Sequence, residues 1–270
     1  MEWIMPELPE VEIVACELRE KIQGKTVESI VAHWSKTFQN LTDVSLSGQI
    51  IHQIGRKGKY LMLELDYSFL IIHLRMTGQL ILQTGGAIKE QHLRATIHFS
   101  DGNCLLFRDQ RKFGRIYHVY DVQKFLSNIG IDALNPDFTT EVFLRLLKKS
   151  TMTIKALLLS QKYVSGLGNI YIDESLFRTK LHPLTQANSL TKVKTGELFT
   201  NIKNVLHQAI SNMGSTISDY RDVNGNMGNN QHFFKVYQRE GKPCPHCGTE
   251  IEKIHVGGRG TRICPSCQQR

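Results

Sequence analysis

Apolar positions change their period twice along this chain. Val11, Val14, Ala15, Leu18 and Ile22 fall three or four residues apart, with Pro9 just ahead and Gly24 just behind. That spacing predicts a helix with one apolar face. Pro9 is an early helical position, and Glu10 and Glu12 lie in the first turn, where the positive end of the helix dipole favours carboxylates. From about residue 27 to 120 the period shortens. "YLMLEL", "SFLIIHL", "ATIHFS", "CLLFRD" and "RIYHVY" are alternating or continuous apolar runs, broken by turn residues such as "SDGN". They predict short strands of an all-β sandwich or barrel, with the first helix packed on it. Beyond Pro136 the helical period returns in "TTEVFLRLLKK", "TIKALLLSQ", "DESLFRTK" and "SLTKVKTGELFTNIKNVLHQAISNM". The stretch "GSTISDYRDVNGNMGNNQHFF" (214–234) has no period, and so long a loop is either functional or disordered.

The pattern predicts an α+β multidomain protein. Residues 1–136 form an N-terminal helix plus β-sandwich, and 137–234 a helical domain that includes the long loop. Residues 235–270 make a small unit with too little apolar mass for a core. Composition narrows the class. With 41% hydrophobic and 21% charged residues, the chain reads as a soluble globular protein. Its longest apolar runs, such as "FLII" and "ALLL", are far too short to cross a bilayer. Glu2 stands where a signal peptide would have a basic start, so the expected location is cytoplasmic.

Charge is placed unevenly. Residues 1–135 hold 15 Lys+Arg and 15 Asp+Glu, whereas 136–270 hold 18 and 10, so the whole net charge of +8 lies in the second half. A basic half-chain suits a phosphate backbone, because each Lys or Arg meeting a phosphate releases counterions. A merely soluble basic protein would show the same balance.

Of six cysteines, four lie in "CPHC" and "CPSC", as Cys244, Cys247, Cys264 and Cys267, with 16 residues between the pairs. Two such turns present four thiolates to one tetrahedral ion, and the intervening "TEIEKIHVGGRGTRI" has the pattern of a β-hairpin. A structural zinc is expected; two disulfides or a redox pair are the alternatives. With four cysteine ligands no open coordination position remains for catalysis. His246 and His255 read as bystanders, and Cys16 and Cys104 as buried thiols.

Three further stretches carry candidate chemistry. "SGLGNIYIDESLF" puts Gly166, Gly168 and Asn169 at a helix start whose free N–H groups can hold a phosphate; an ordinary helix connection reads the same way. "FRDQRKFG" sets Arg111 and Phe113 on one face if extended, and "HLRMTG" adds Met76 beside a turn. Phe and Met can wedge between base steps and Arg can fill the space of a displaced base, although either apolar residue alone could be core.

The run "PELPEVE", "GRKGKYL", "HLRMTG", "FRDQRKFG", "SGLGNIYIDESLF", "GSTISDY", "VGGRGTRICPSCQ" occurs in that order. From Pro6 to the C-terminus the chain strongly resembles the formamidopyrimidine-DNA glycosylases. The resemblance implies excision of oxidised purines from damaged double-stranded DNA, followed by strand cutting, by a cytoplasmic, nucleoid-associated monomer. It implies a helix–two-turn–helix domain, a lesion-capping loop over 215–234 and a zinc-finger hairpin with four cysteine ligands. Pro6, as the mature N-terminus, is the implied nucleophile, which makes Met5 the expected initiator and residues 1–4 an extension. A terminal amine with a pKa near 8 is partly unprotonated at neutral pH, whereas a lysine near 10.4 is not.

Further roles follow from the same resemblance. Glu7 handles protons at the sugar, and Glu10, with Glu12, supports the site. Lys59 holds phosphates or assists strand elimination. Met76, Arg111 and Phe113 fill the gap left by the flipped lesion. Asn169 and Arg259 clamp phosphate, and His92 and Lys155 face the DNA. Arg75 and Gln238 depart from a usual glycine, and Ser218 from a frequent arginine. The rival readings are an endonuclease VIII-type enzyme for oxidised pyrimidines, and a non-catalytic DNA-binding relative. "PELPEVE" and the Arg-x-Phe wedge argue against the former.

Overall fold

The computed structural model describes residues 5–85, 88 and 90–270, so the expected extension at 1–4 lies outside the described residues. Two compact units emerge. The first holds the chain up to Asn128 together with the returning segment Asn212–Asn229; the second holds Ile129–Ser211 and Asn230–Arg270. The long loop, expected within the helical domain, therefore belongs to the first unit as far as Asn229, and its last residues, 230–234, to the second. Residues 235–270, expected to stand alone, pack with the helices.

The first unit opens with helix α1 (Leu8–Ile22), capped by Glu7, with Pro9 in its first turn as the pattern predicted. The strands that follow are β1 (Val27–Ala32), β2 (Phe38–Asn40), β3 (Gln53–Lys57), β4 (Tyr60–Glu64), β5 (Phe69–His73), β6 (Gly78–Thr84), β7 (Leu93–Phe99), β8 (Asn103–Asp109) and β9 (Arg115–Val119). Among the described residues they form two sheets, ordered β1-β7-β8-β6 and β2-β9-β5-β4-β3. Leu80, Ile97 and Phe107 of the first sheet share one core with Leu61, Leu63, Leu70, Ile72 and Ile116 of the second, and with Val11, Val14, Leu18 and Ile22 of α1. Tyr220 and Val223 of the returning segment enter the same core, which is why that segment belongs here. A short helix, α2 (Val122–Phe125), closes the unit.

Because β5 and β6 belong to different sheets, as do β8 and β9, two turns cross from sheet to sheet. These turns carry Met76, Arg111 and Phe113.

The second unit contains β10 (Ile131–Asp132), α3 (Thr140–Lys148), α4 (Ile154–Leu159), β11 (Val164–Ser165), α5 (Asn169–Arg178), α6 (Lys192–Ser211) and the hairpin β12 (Glu252–Val256)–β13 (Arg259–Ile263). Every residue of α5 from Ile170 to Phe177 is buried, the acids Asp173 and Glu174 included. A helix buried on all sides needs partners for its polar groups. The hairpin turn is Gly257-Gly258, with φ of 59° and 72°; two successive left-handed residues define the turn that matches strand twist, and glycine adopts them without strain.

Gln238, one of the departures from glycine, has φ 55°. A left-handed residue with a Cβ costs about 1–2 kcal/mol, partly offset by the lower unfolded-state entropy relative to glycine. Gln238→Gly should therefore raise the melting temperature by one or two degrees, roughly, and Gln238→Val should lower it by more. Thermal denaturation of the three chains checks this order.

Candidate nucleic-acid interface and metal centre

Pro6 is buried and lies immediately before the cap of α1. Glu7 and Glu10 are 3% and 2% exposed. They close a capping box, in which Glu10 Oε2 accepts the Glu7 N–H at 2.9 Å. The other oxygen of Glu10 accepts the Ser215 N–H at 2.8 Å. One carboxylate thus fixes both the residue after Pro6 and the start of the long loop. Further along α1, Glu17 accepts Val223 N–H at 2.7 Å and the Asn224 side-chain amide at 2.9 Å. Inside the loop, Thr216 Oγ1 donates to the Tyr220 carbonyl and accepts the Gly228 N–H. Glu12 is engaged differently. It meets Arg56 at 2.8 Å and Arg19 at 3.2 Å, and these cations hold its carboxyl below its usual range despite the opposing effect of burial.

Lys59 occupies the two-residue β3–β4 turn, where Lys57 pairs with Tyr60. It is only 6% exposed, unlike an ordinary strand lysine. Nearby is His73, which sequence reasoning missed. Burial first, then the charges of Arg75 and Lys59, push His73 down to about 3. Its Nδ1 accepts the Arg75 N–H at 3.0 Å, so the neutral ring carries its proton on Nε2.

Asp109, also missed, holds the two crossing turns together. It is fully buried at the end of β8. Its Oδ1 accepts the Thr77 hydroxyl and, at 3.1 Å, the Arg111 N–H, and its Oδ2 accepts the Gly114 N–H at 2.7 Å. Its backbone N–H donates to the His92 carbonyl at 3.0 Å, and its carbonyl accepts Arg94 Nε at 2.7 Å. The turns bearing Met76, His92, Arg111 and Phe113 therefore converge on one residue. Phe113 is 45% exposed, too open for a core role, and the Arg111 guanidinium lies 5.0 Å from its ring centroid. Trp34 supports the same edge, with Lys112 at 5.8 Å and Arg115 at 5.2 Å from its ring. Adjacent cations beside an exposed aromatic ring suit a polyanion that also offers flat apolar faces.

In the second unit, Asn169 is the first residue of α5. Its side chain is engaged at both ends: Oδ1 accepts Lys155 Nζ at 2.7 Å, and Nδ2 donates to the Gly260 carbonyl at 2.9 Å. Lys155 itself has no exposed surface. The expectation that it faces DNA is corrected here: its ammonium is inside the protein, paired with Asp173 and positioning Asn169. Burial pushes the Asp173 carboxyl up, to about 6, against the pull of Lys155 and of the Arg262 N–H that it accepts at 3.0 Å. Glu174 accepts three N–H groups, from Lys235, Val236 and Tyr237, at 2.9–3.0 Å. Arg262 spans Glu240 with both carboxylate oxygens at 3.1–3.2 Å and covers the Tyr237 ring at 4.7 Å. Arg259 stands exposed at the head of β13.

The Sγ atoms of Cys244, Cys247, Cys264 and Cys267 all lie within 4.8 Å of one another. Separations of 3.5 Å and 3.9 Å bracket the edge of about 3.8 Å that follows from tetrahedral Zn–S bonds of about 2.3 Å. They are far beyond a disulfide bond of about 2.05 Å, and all four are free thiols. Backbone N–H groups of His246 and Cys267 donate to Cys244 and Cys264 sulfurs at 3.4 Å each, which favours the thiolate form. The set fits a structural metal. His246 stacks on Phe177 at 5.2 Å, a bystander as expected. Of the two isolated cysteines, Cys104 is buried as expected, whereas Cys16 is exposed on α1.

Known proteins match in the same order. Residues 5–116 fit the formamidopyrimidine-DNA glycosylase N-terminal domain, 129–221 its H2TH domain, and 241–270 the zinc finger found in FPG and IleRS. The formamidopyrimidine-DNA glycosylase of Oceanobacillus iheyensis is 41% identical, covering 98% of both chains. That of Chloroflexus aurantiacus is 40% identical, with the same coverage. The chain belongs to the formamidopyrimidine-DNA glycosylase family. Among solved members, a Lactococcus lactis FPG mutant bound to Fapy-dG containing DNA superposes with TM-score 0.89 at 40% identity, over 98% of this chain and 100% of that one. The Thermus thermophilus MutM (FPG) protein gives 0.88 at 38% identity, over 97% and 98%. Family membership accounts for the α+β architecture with a terminal four-cysteine finger.

Two outcomes test the geometry. Asp109→Ala strands three buried donors and should cost about 3 kcal/mol or more in urea unfolding, with faster hydrogen exchange at Gly114. His73 is held neutral, so its contribution is complete above its unfolded pKa of about 6.5 and declines as pH falls toward its folded value. Stability should drop by roughly 1–2 kcal/mol between pH 7 and pH 5, and His73→Gln should flatten that slope.

Proposed function

We propose that this chain is a bifunctional DNA glycosylase and abasic-site lyase that excises oxidised purines, such as 8-oxoguanine and formamidopyrimidines, from duplex DNA. The observation that carries the reading is family membership, at 41% identity over 98% of the chain; Pro6 and Glu7 lie buried just ahead of α1. Relatives bound to Fapy-dG containing DNA and to abasic site containing DNA support the substrate class.

A chain that begins at Pro6 offers a secondary amine whose pKa, near 8, leaves much of it nucleophilic at neutral pH. The amine attacks the sugar C1′ and gives up its proton, and the C1′–N9 bond breaks with its electrons leaving on the base, which takes up a proton. The C1′–O4′ bond then opens, O4′ takes up a proton, and the nitrogen lone pair closes the iminium. The resulting iminium acidifies the C2′ proton. Loss of that proton expels the 3′ phosphate and cuts the strand; hydrolysis of the iminium restores the amine. Glu7 moves protons at the sugar ring. Lys59, next to the neutral His73, meets the flanking phosphates or assists elimination.

Met76, Arg111 and Phe113 occupy the gap left by the flipped nucleotide, with His92 on the same edge. The α5 N-terminus at Asn169 and the exposed Arg259 hold phosphate. The four cysteines bind one zinc ion, which reinforces the small core that Val236 and Ile251 share with Phe177 beside the hairpin bearing Arg259. The protein is read as a cytoplasmic monomer. With Met5 still attached, Pro6 nitrogen is an amide and the attack does not occur.

Borohydride trapping on an 8-oxoguanine duplex tests the chemistry. A chain beginning at Pro6 should cross-link through that residue, identified by mass spectrometry, and a chain retaining residues 1–5 should not. Absence of any cross-link from the former would refute the mechanism. Zinc removal by chelation should abolish DNA binding while restored zinc recovers it; unchanged affinity without metal would contradict the finger's role.

A further inference from the structure

Arg75 lies in the turn between β5 and β6, next to Met76, at φ 55°. Its backbone is fixed on both sides. The Arg75 N–H donates to His73 Nδ1 at 3.0 Å, and the Gly78 N–H donates to the Leu74 carbonyl at 3.0 Å. The turn is so tight there that a Cβ on Gly78 would sit 2.3 Å from that carbonyl oxygen. Thr77 then ties the turn to Asp109. These bonds fix the backbone from which the Arg75 side chain leaves.

The residue is costly where it stands. A left-handed backbone strains any residue with a Cβ. Among the described residues no hydrogen bond or ion pair holds the half-buried guanidinium. Its charge adds to that of Lys59 at His73, with Arg111 and Lys112 on the turn joined to its own through Asp109. Fold stability alone favours glycine here. An arginine whose guanidinium has no hydrogen-bond or ion-pair partner among the described residues, on a rigid turn beside other cations, gains when an anion arrives.

We propose that Arg75 is a further DNA contact, a phosphodiester ligand that clamps the backbone beside the Met76 wedge. The assignment rests on the DNA-binding part of the proposed function. It gives the β5–β6 turn two tasks: Met76 enters the base stack, and Arg75 grips the strand at the point of entry. A guanidinium suits this role because its fork can meet two phosphate oxygens at once.

The test is fluorescence anisotropy of the full chain with a duplex containing a tetrahydrofuran abasic analogue, from 0.1 to 1 M salt. One lost phosphate contact should weaken binding by Arg75→Gly roughly ten-fold at 0.1 M salt, with the deficit shrinking toward 1 M, and should reduce the slope of log K against log salt by about 0.9. Arg75→Lys should keep the slope. The melting temperature of Arg75→Gly should equal or exceed that of the parent, so that lost affinity is not lost folding. Unchanged affinity and slope in Arg75→Gly, while the parent binds, would overturn the contact. Weaker binding at an unchanged slope would overturn the phosphate assignment in favour of a base-edge contact. Failure of the parent itself to bind would instead overturn the DNA-binding reading.

Discussion

Buried carboxylates that accept backbone N–H groups hold this molecule's working parts in place. Glu10 joins the start of α1 to Ser215, Asp109 joins two crossing turns, and Glu174 gathers three consecutive amides ahead of the finger. A buried carboxylate is tolerated only when several donors replace its water, each such bond contributing about 1.5–3 kcal/mol. The requirement works in both directions. Because the acid cannot be left unsatisfied, the loops that satisfy it have one acceptable geometry. The segments that carry Pro6, Met76, Arg111 and Phe113 are tied down in this way.

The same logic explains why Lys155 lies inside. Asp173 needs a counter-charge that its burial would otherwise deny it, and Lys155 provides one while orienting Asn169. Its ammonium reaches the start of α5 only through the Asn169 side chain. Strain is distributed in a complementary way. Arg75, His92 and Lys112 all hold left-handed backbone, and all lie in the turns that converge on Asp109. Non-glycine residues in such conformations persist where the surroundings over-determine them, and they gather at binding sites.

Much of the architecture was legible in the sequence because period is a local property. The apolar face of α1, the strand runs from "YLMLEL" to "RIYHVY", and the helices after Pro136 all formed where the spacing put them. Cysteine spacing was equally direct, and the four sulfurs converge as expected. The failures share one cause. Ser215 lies 205 positions from Glu10, so no local pattern could show that the long loop belongs with the first unit. Asp109 was in view within "FRDQRKFG", two residues before Arg111. Its burial follows only from the pairing of β6 with β8, which sets it opposite Gly78. Lys155 was given a DNA-facing place by resemblance alone, and its burial follows from Asp173, which sits on another helix. His73 was hidden inside an apolar strand.

The most direct test of the account is single-turnover incubation of a chain beginning at Pro6 with an 8-oxoguanine duplex, with both products identified by mass spectrometry. The account predicts release of the free oxidised base together with a strand cut by elimination, in equal amounts. A duplex that is bound but yields neither free base nor cut strand would contradict it.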